Sequence, residues 1–260
     1  MKRTMAAVLA TAMVLGLTWG VGPCSAHEFI VKPVQLQAPP GHKLPFSVVS
    51  AHVFMISEEM EPPEQVEVSL MGDAGQEPVS LKPNDVLLTL DGAVDLKDEG
   101  TRVLAGHRKG MIWTHTTQGW KQASKKGLEG VLSSGMYEKF CKTLVTVGQP
   151  DDGYGKVAGH ALEIVPLDDP AKAAVGRDLK FQVLFNGKPL PAEVYATYDG
   201  FTDAPNTYAY FTETDAEGRA RVRITRPGTW MVRVQHTLDE PTEDYDKRVL
   251  RAVLVFGVTG

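Results

Sequence analysis

Cysteine is scarce in this sequence. There are two in 260 residues, Cys24 and Cys141. Cys24 precedes a predicted cleavage site after Ala26, so the mature chain would keep Cys141 alone and could form no internal disulfide. The fold must then be stabilised by burial of a core. Apolar residues flank Cys141 in "YEKFCKTLV", a pattern that predicts a buried and unreactive thiol.

Basic clusters and common catalytic motifs are also missing. The chain has 27 lysines and arginines against 32 acidic residues, a formal net charge of −5. A mildly acidic chain without a basic cluster gives no reason to expect nucleic-acid binding. No HExxH, CxxC, GxSxG or phosphate-loop pattern occurs. We therefore do not expect an enzyme.

Only one long hydrophobic run is present, over residues 5–21. Lys2 and Arg3 precede it and the small residues of "GPCSA" follow it, as in a secretory signal peptide. We predict that residues 1–26 are removed after Ala26 and that the mature chain is a soluble periplasmic protein. The length of the run also fits an uncleaved membrane anchor, and that alternative stays open.

Short β-branched and aromatic runs separated by turn clusters dominate the rest of the chain. The second half contains seven of them, at 161–167, 179–185, 192–198, 208–214, 219–225, 229–237 and 248–258. Such spacing without intervening helices is typical of an antiparallel sandwich. We predict an all-β protein of two tandem antiparallel β-sandwich domains, immunoglobulin-like or prealbumin-like.

The first half is less regular, with strands predicted at 28–34, 43–55, 65–71, 85–90, 102–107, 111–117 and 143–148. Apolar residues at Leu128, Val131, Leu132 and Met136 predict a short helical insertion within 119–142. The polar, glycine-rich "GQPDDGYGK" predicts a linker. The expected division is 27–148 for the first domain, 149–157 for the linker and 158–260 for the second domain.

His27 is the strongest single candidate for a functional residue. Cleavage after Ala26 would make it the first residue, with a free α-amine and an imidazole that together form a chelate. An α-amine has a pKa near ~7.7–8.0, so a metal ion displaces its proton easily at neutral pH. Such a nitrogen pair suits nickel, cobalt or copper better than magnesium or calcium.

The other metal ligands would have to come from elsewhere in the fold. Period-two alternation places His52 on a strand face with Val48 and Ser50, and His236 at the end of an inward-facing stripe with Trp230 and Val234. Neutral imidazoles are the commonest metal ligands. Glu28 could add a carboxylate. The predicted site is His27, His52, His236 and Glu28, although each of the two strand histidines could instead be a hydrogen-bonded core residue.

Seven stretches in order resemble the domain-of-unknown-function family DUF4198: "AHEF", "SAHVFM", "KFCKTLVTVG", "GHALEIVPLDDP", "FQVLFNGKPLPAEVYATYDG", "TETDAEGRARVRITRPGTWMVRVQHT" and "RAVLVF". Members of this family are found beside nickel and cobalt uptake systems. The resemblance implies a periplasmic protein that binds Ni²⁺ or Co²⁺, with Cu²⁺ as an alternative, and delivers it to components of an inner-membrane metal transporter. It matches His27, His52 and His236.

Two other functions remain open at this stage. A β-sandwich exported to the cell envelope could bind protein or glycan without any metal, in which case His27 would be dispensable. A terminal histidine with a second histidine could also form a copper-dependent oxidative site.

Overall fold

The computed structural model describes residues 27–259, so the predicted signal peptide and its cleavage site lie outside the described part. Strands make up the regular structure, with three short 3₁₀ turns at Pro63–Gln65, Asp152–Gly155 and Pro170–Lys172. Within residues 27–259 no helix has the length and apolar character needed to span a membrane. The prediction of an all-β fold is confirmed.

Eighteen strands follow one another within the described residues. They are β1 Glu28–Pro33, β2 Gln37–Ala38, β3 His42–Ala51, β4 Val66–Gly72, β5 Gly75–Pro78, β6 Lys82–Asn84, β7 Thr89–Leu96, β8 Gly100–Thr116, β9 Gly119–Lys121, β10 Val131–Val147, β11 Leu162–Pro166, β12 Asp178–Phe185, β13 Lys188–Pro189, β14 Glu193–Tyr198, β15 Tyr210–Glu213, β16 Arg219–Arg223, β17 Gly228–Leu238 and β18 Lys247–Val258.

These strands form three sheets. The first has the order β1-β3-β7-β6, and the third joins β11, β12 and β13, with β16 also paired to β12. A ten-stranded central sheet runs β15-β14-β17-β18-β10-β8-β4-β5, with β2 and β9 beside it. Its two halves join where β10 and β18 pair in parallel. This pairing begins with Gly135 opposite Lys247 and ends with Thr143 opposite Val255. The sequence did not predict this parallel pairing.

The outer sheets cover opposite faces of the central sheet. Because side chains alternate along a strand, Leu254 and Phe256 of β18 pack toward the third sheet. Val253 and Val255 pack toward the first sheet. The two predicted sandwiches therefore share the central sheet as a common middle layer. The domain boundaries at 148 and 158 stay a prediction.

The predicted helical insertion is wrong. Val131, Leu132 and Met136 lie on β10, which pairs with β8 along a hairpin of 17-residue strands. Leu132 is exposed, so the apolar positions that suggested a helix do not share a buried face. Residues 139–145 of the same strand are all buried, and pairing with β8 decides the conformation of the whole segment. Backbone pairing outweighed a weak helical period.

The prediction for Cys141 is confirmed. Its side chain is 1% exposed and its Sγ accepts a hydrogen bond from the Val31 amide at 3.4 Å. Burial raises the pKa of the Cys141 thiol to about 11. A thiol with so high a pKa is protonated at neutral pH and unreactive.

Candidate metal centre

The register of β1 and β3 brings two of the predicted ligands together. Glu28 pairs with Ala51 across this antiparallel ladder. The residue before Glu28 must then lie opposite the residue after Ala51, and these residues are His27 and His52. Their ring centroids are 3.8 Å apart. The sequence predicted β3 to run on to residue 55, but it ends at Ala51 and His52 lies in the bend that follows.

The segment after His52 folds back and supplies two carboxylates. Met55 adopts a left-handed conformation with φ of 70°, which reverses the chain. The Glu58 amide then donates to the Ser50 carbonyl at 2.9 Å, and Glu59 forms a bridge with Ser50. This return places the Glu58 and Glu59 side chains beside the two imidazoles.

Glu58 binds both histidines through one oxygen. Its Oε2 lies 2.8 Å from His52 Nδ1 and 3.4 Å from His27 Nε2. Two ligand atoms that each lie ~2.1 Å from a metal ion are separated by roughly 3.0–3.4 Å. The 3.4 Å between Glu58 Oε2 and His27 Nε2 falls in this range, whereas the 2.8 Å contact with His52 Nδ1 is a hydrogen bond. Ligand atoms of His27, His52 and Glu58 all lie within 4.8 Å of one another. The three side chains remain partly open to solvent.

Glu58 is ionised over the whole physiological range. Burial raises the pKa of its carboxyl, but hydrogen bonds from the side chain and backbone of His52 outweigh burial and lower this pKa to about 2. The Glu58 Oε1 atom accepts the His52 amide at 2.9 Å. The carboxylate is thus fixed in place and available as an anionic ligand.

Glu59 orients the His27 ring. Its Oε1 lies 2.8 Å from His27 Nδ1, and this hydrogen bond is the main reason that the pKa of Glu59 is lowered. A carboxylate that accepts from one ring nitrogen leaves the other nitrogen to bind a metal, the usual arrangement of histidine ligands. In this geometry the free nitrogen is His27 Nε2, which faces Glu58.

Glu28, a predicted ligand, does not join this group. It follows His27 on β1, so its side chain points to the other side of the strand. Its Oε1 accepts from Arg233 Nε at 2.9 Å and from the Tyr208 hydroxyl at 3.0 Å. Burial raises the pKa of Glu28, but Arg233 and Arg251 outweigh burial and lower it. Glu28 is a buried ion-pair partner that fixes the start of β1 to β17.

His236 is also placed elsewhere. It shares a face of β17 with Trp230 and Val234, as the sequence predicted, but that face packs toward the third sheet. Its ring contacts Phe185 of β12, with centroids 4.8 Å apart. The His27 and His52 rings lie at the end of the first sheet, which covers the opposite face. Side-chain alternation along β17 predicted the inward direction of His236 correctly, but the layer that this residue faces is the one opposite His27 and His52.

The family profile described as "Domain of unknown function (DUF4198)" matches residues 24–238. The chain belongs to the DUF4198 family. No curated protein matches this DUF4198 chain significantly. Among solved structures, it is similar to the D0-D1 domain of Intimin, at 14% identity, 90% coverage of this chain, 99% coverage of that chain and a TM-score of 0.23. It is also similar to the mouse nectin-like molecule 4 ectodomain, at 13% identity and a TM-score of 0.23. That match covers 90% of this chain and 65% of the ectodomain chain.

An open cleft of about 420 Å³ adjoins the two histidines of the DUF4198 chain. Its walls carry sulfur and aromatic side chains, namely Met60, Met111, Trp113, Trp120 and Tyr137. Glu61, Arg108 and Lys139 form its buried charged floor. Sequence patterns pointed to neither the cleft nor its floor.

Glu58 is the member of this candidate group that the sequence patterns did not single out in the DUF4198 chain. It belongs to an acidic pair, Glu58 and Glu59, in "MISEEMEPP", a stretch for which the sequence predicted no strand and no site. The sequence offered one indication: this pair follows His52 by six and seven residues, a spacing that a tight chain reversal can bring back beside His52. That indication depends on the reversal at Met55, which the sequence does not mark.

Proposed function

We propose that this protein captures a divalent transition-metal ion, nickel or cobalt with copper as an alternative, through His27, His52 and Glu58 in the periplasm. The single observation that carries the proposal is the convergence of two imidazole nitrogens on one ionised carboxylate oxygen. The ion is cargo, and the expected recipients are components of an inner-membrane metal transporter.

The donor set supports a borderline metal rather than a hard one. Imidazole nitrogen suits nickel, copper, zinc and iron, whereas calcium and magnesium prefer oxygen ligands. Three protein ligands leave coordination positions open, as in sites that exchange their ligands. An ion held this way can be taken up and handed on.

Signal-peptide cleavage after Ala26 would strengthen the site. It would give His27 a free α-amine, which can chelate together with Nδ1 of the same residue. Nδ1 now faces Glu59, so that chelate requires the His27 ring to turn or Glu59 to bind alongside. The chelate and coordination through His27 Nε2 are therefore alternatives, and the amine adds affinity for nickel and copper only when the ring turns Nδ1 away from Glu59.

No reaction is needed for this role. Metal affinity depends on deprotonated ligands, so binding releases protons and acidification releases metal. Capture at neutral pH and release on protonation follow from the ligands alone. The competing proposal, an envelope module that binds protein or glycan, makes the histidine pair dispensable.

Isothermal titration calorimetry of the processed protein tests the proposal. The amino-terminal residue is first established by intact mass, and the protein is then titrated with Ni²⁺, Co²⁺, Cu²⁺ and Zn²⁺. We expect one ion per chain. A matched variant that retains Ala26 should bind Ni²⁺ more weakly, because the backbone nitrogen of His27 is then a peptide amide and the free amine belongs to Ala26.

The outcomes separate the two ideas. Equal affinity with and without Ala26 would remove the α-amine from the site and leave the side-chain ligands. If none of the four ions binds, and a His27→Ala variant gives the same titrations as the native chain, the interaction module becomes the better proposal.

A further inference from the structure

The turn between β6 and β7 exposes three aliphatic side chains in a row. Val86, Leu87 and Leu88 are 89%, 59% and 40% exposed. Single exposed aliphatic residues are ordinary on protein surfaces, but a run of three is unfavourable in water unless it serves a function. Residues 86–88 are called the apolar tip below.

The backbone of the apolar tip is held in a defined shape. The Leu87 amide donates to Asn84 Oδ1 at 3.1 Å, and Ser57 Oγ donates to the Leu88 carbonyl at 2.7 Å. Leu88 has a φ of 55°, a left-handed conformation that usually takes glycine, asparagine or aspartate. Backbone strain of this kind clusters at functional positions, and here it presents aliphatic side chains to solvent.

The apolar tip lies at the same end of the first sheet as the histidine pair. β3 ends at Ala51, which pairs with the first residue of β1. Leu90 of β7 pairs with Val48 of β3, so β7 begins at this end too, directly after the apolar tip. Ser57, which bonds the apolar tip, precedes Glu58 in the chain. A surface that the apolar tip contacts therefore comes close to the candidate metal centre.

The sequence before His27 brings a lipid bilayer to this end of the molecule. Residues 5–21 are predicted to be a signal peptide or a membrane anchor. Six residues lead from Val21 to His27. Because an extended chain spans at most about 3.6 Å per residue, His27 lies within about 20 Å of a bilayer that holds this run. The apolar tip is then at the end of the protein nearest the bilayer.

The composition of the apolar tip fits lipid better than a folded protein partner. Its side chains are aliphatic, whereas tryptophan, tyrosine and arginine dominate the binding energy of protein interfaces. Asp85 precedes the apolar tip, and the chain has a net charge of −5, so attraction to anionic headgroups does not drive the contact. Aliphatic side chains that enter the boundary between headgroups and acyl chains gain energy by leaving water.

We propose that the apolar tip inserts into the surface of a lipid bilayer and holds the candidate metal centre against it. The attachment is weak and reversible, because three side chains bury less apolar surface than one acyl chain. A protein docked in this way presents the His27 and His52 end to membrane-embedded partners. Insertion of the apolar tip does not require the metal, so this proposal and the proposed function can fail separately.

Co-sedimentation of the processed protein with vesicles of phosphatidylethanolamine and phosphatidylglycerol tests the proposal. We expect sedimentation to rise with lipid and to be insensitive to salt, because apolar insertion is not screened. The double variant Val86→Ser/Leu87→Ser should need at least roughly tenfold more lipid for equal sedimentation. Val34→Ser is the matched control, because it removes an exposed valine just beyond the other end of β1, and it should sediment as the native chain does.

A second measurement locates the contact. Leu87→Trp should show a blue-shifted emission with vesicles and be quenched by brominated lipid, whereas Val34→Trp should show neither change. This measurement decides if the double variant loses its native circular dichroism.

Four results would overturn the proposal and leave nickel binding untouched. The native protein could fail to sediment at any lipid concentration, the folded double variant could sediment as well as the native chain, or salt could abolish the binding. The fourth is self-association that depends on the apolar tip in sedimentation velocity without any binding to vesicles, which would make a second copy of the chain its partner.

Discussion

His27 lies opposite His52 across the β1–β3 strand pair, with ring centroids 3.8 Å apart. Neither residue belongs to a recognisable motif, and 24 residues separate them in the chain. Strand register alone brings them together. A one-residue slip of register would move one of the rings to the other face of the sheet. In this register Phe29 pairs with Ser50 and Ile30 pairs with Val49.

Removal of any one of the three proposed ligands should weaken nickel binding. We expect His27→Ala, His52→Ala and Glu58→Gln each to lower affinity at least tenfold, or about 1.4 kcal/mol. His236→Ala is the matched control, because it removes a histidine that packs on Phe185 in the other layer. Calorimetry checks the series, and loss of affinity in His236→Ala equal to that in His52→Ala would contradict it.

Glu59 should act through the orientation of His27. Replacement by Gln keeps the size of the side chain but removes the negative charge near Nδ1. Loss of such a carboxylate partner typically lowers metal affinity about 10–100-fold. We expect a loss in this range for Glu59→Gln and recovery with Glu59→Asp. Equal affinities for the native and Gln chains would show that Glu59 is only a loop residue.

Acid should not release the metal by protonating Glu58. Because the pKa of Glu58 is lowered to about 2, this carboxylate stays charged above pH 4.5 and gains its proton only as the pH falls toward 2. We therefore expect the Glu58 carboxyl to keep its charge throughout the range from pH 7 to 5. Carboxyl ¹³C NMR of the metal-free protein measures this, and a titration of the Glu58 signal within that range would contradict it.

The buried pair Lys142 and Glu163 should stabilise the junction of the two halves. Lys142 Nζ lies 2.7 Å from Glu163 Oε1, and both side chains are 2% exposed. Lys142→Met would leave a buried carboxylate with backbone donors alone, at a cost of about 3 kcal/mol. Urea unfolding measures this change in the free energy of unfolding. Lys126→Met, which removes the exposed partner of Glu243, should cost under ~1 kcal/mol.

A comparable loss in the two lysine variants would show that the buried pair contributes no more than a surface pair. The comparison is matched because each variant removes one lysine that lies 2.7 Å from a carboxylate.

Sequence patterns predicted the strands of the second half well. Clear alternation and turn clusters mark residues 179–185 and 229–237, and both segments are strands in the structure. The patterns could not reveal that β10 and β18 pair in parallel, because residues about a hundred positions apart carry no local sign of pairing. This is also why His236 was assigned to the site: alternation gives a face but not the sheet that covers it.

Two of the four predicted ligands, His27 and His52, lie together in the structure, and both had a local indication in the sequence. His27 stands out because of the cleavage pattern before it, and His52 because of its place at the end of an apolar strand. The position of Glu58 beside the histidines depends on the left-handed conformation at Met55, where no glycine or asparagine marks a reversal. The direction of the Arg108 side chain depends on a β-bulge in β8, which is visible only from the pairing of β8 with β10.

A crystal structure of the processed protein loaded with Ni²⁺, with the ion located by its anomalous scattering, tests the central claim most directly. The account predicts one peak about 2.0–2.2 Å from a nitrogen of His27, a nitrogen of His52 and an oxygen of Glu58. A peak at His236 or at any position without these three ligands, or no peak in a crystal soaked to saturation, would contradict it.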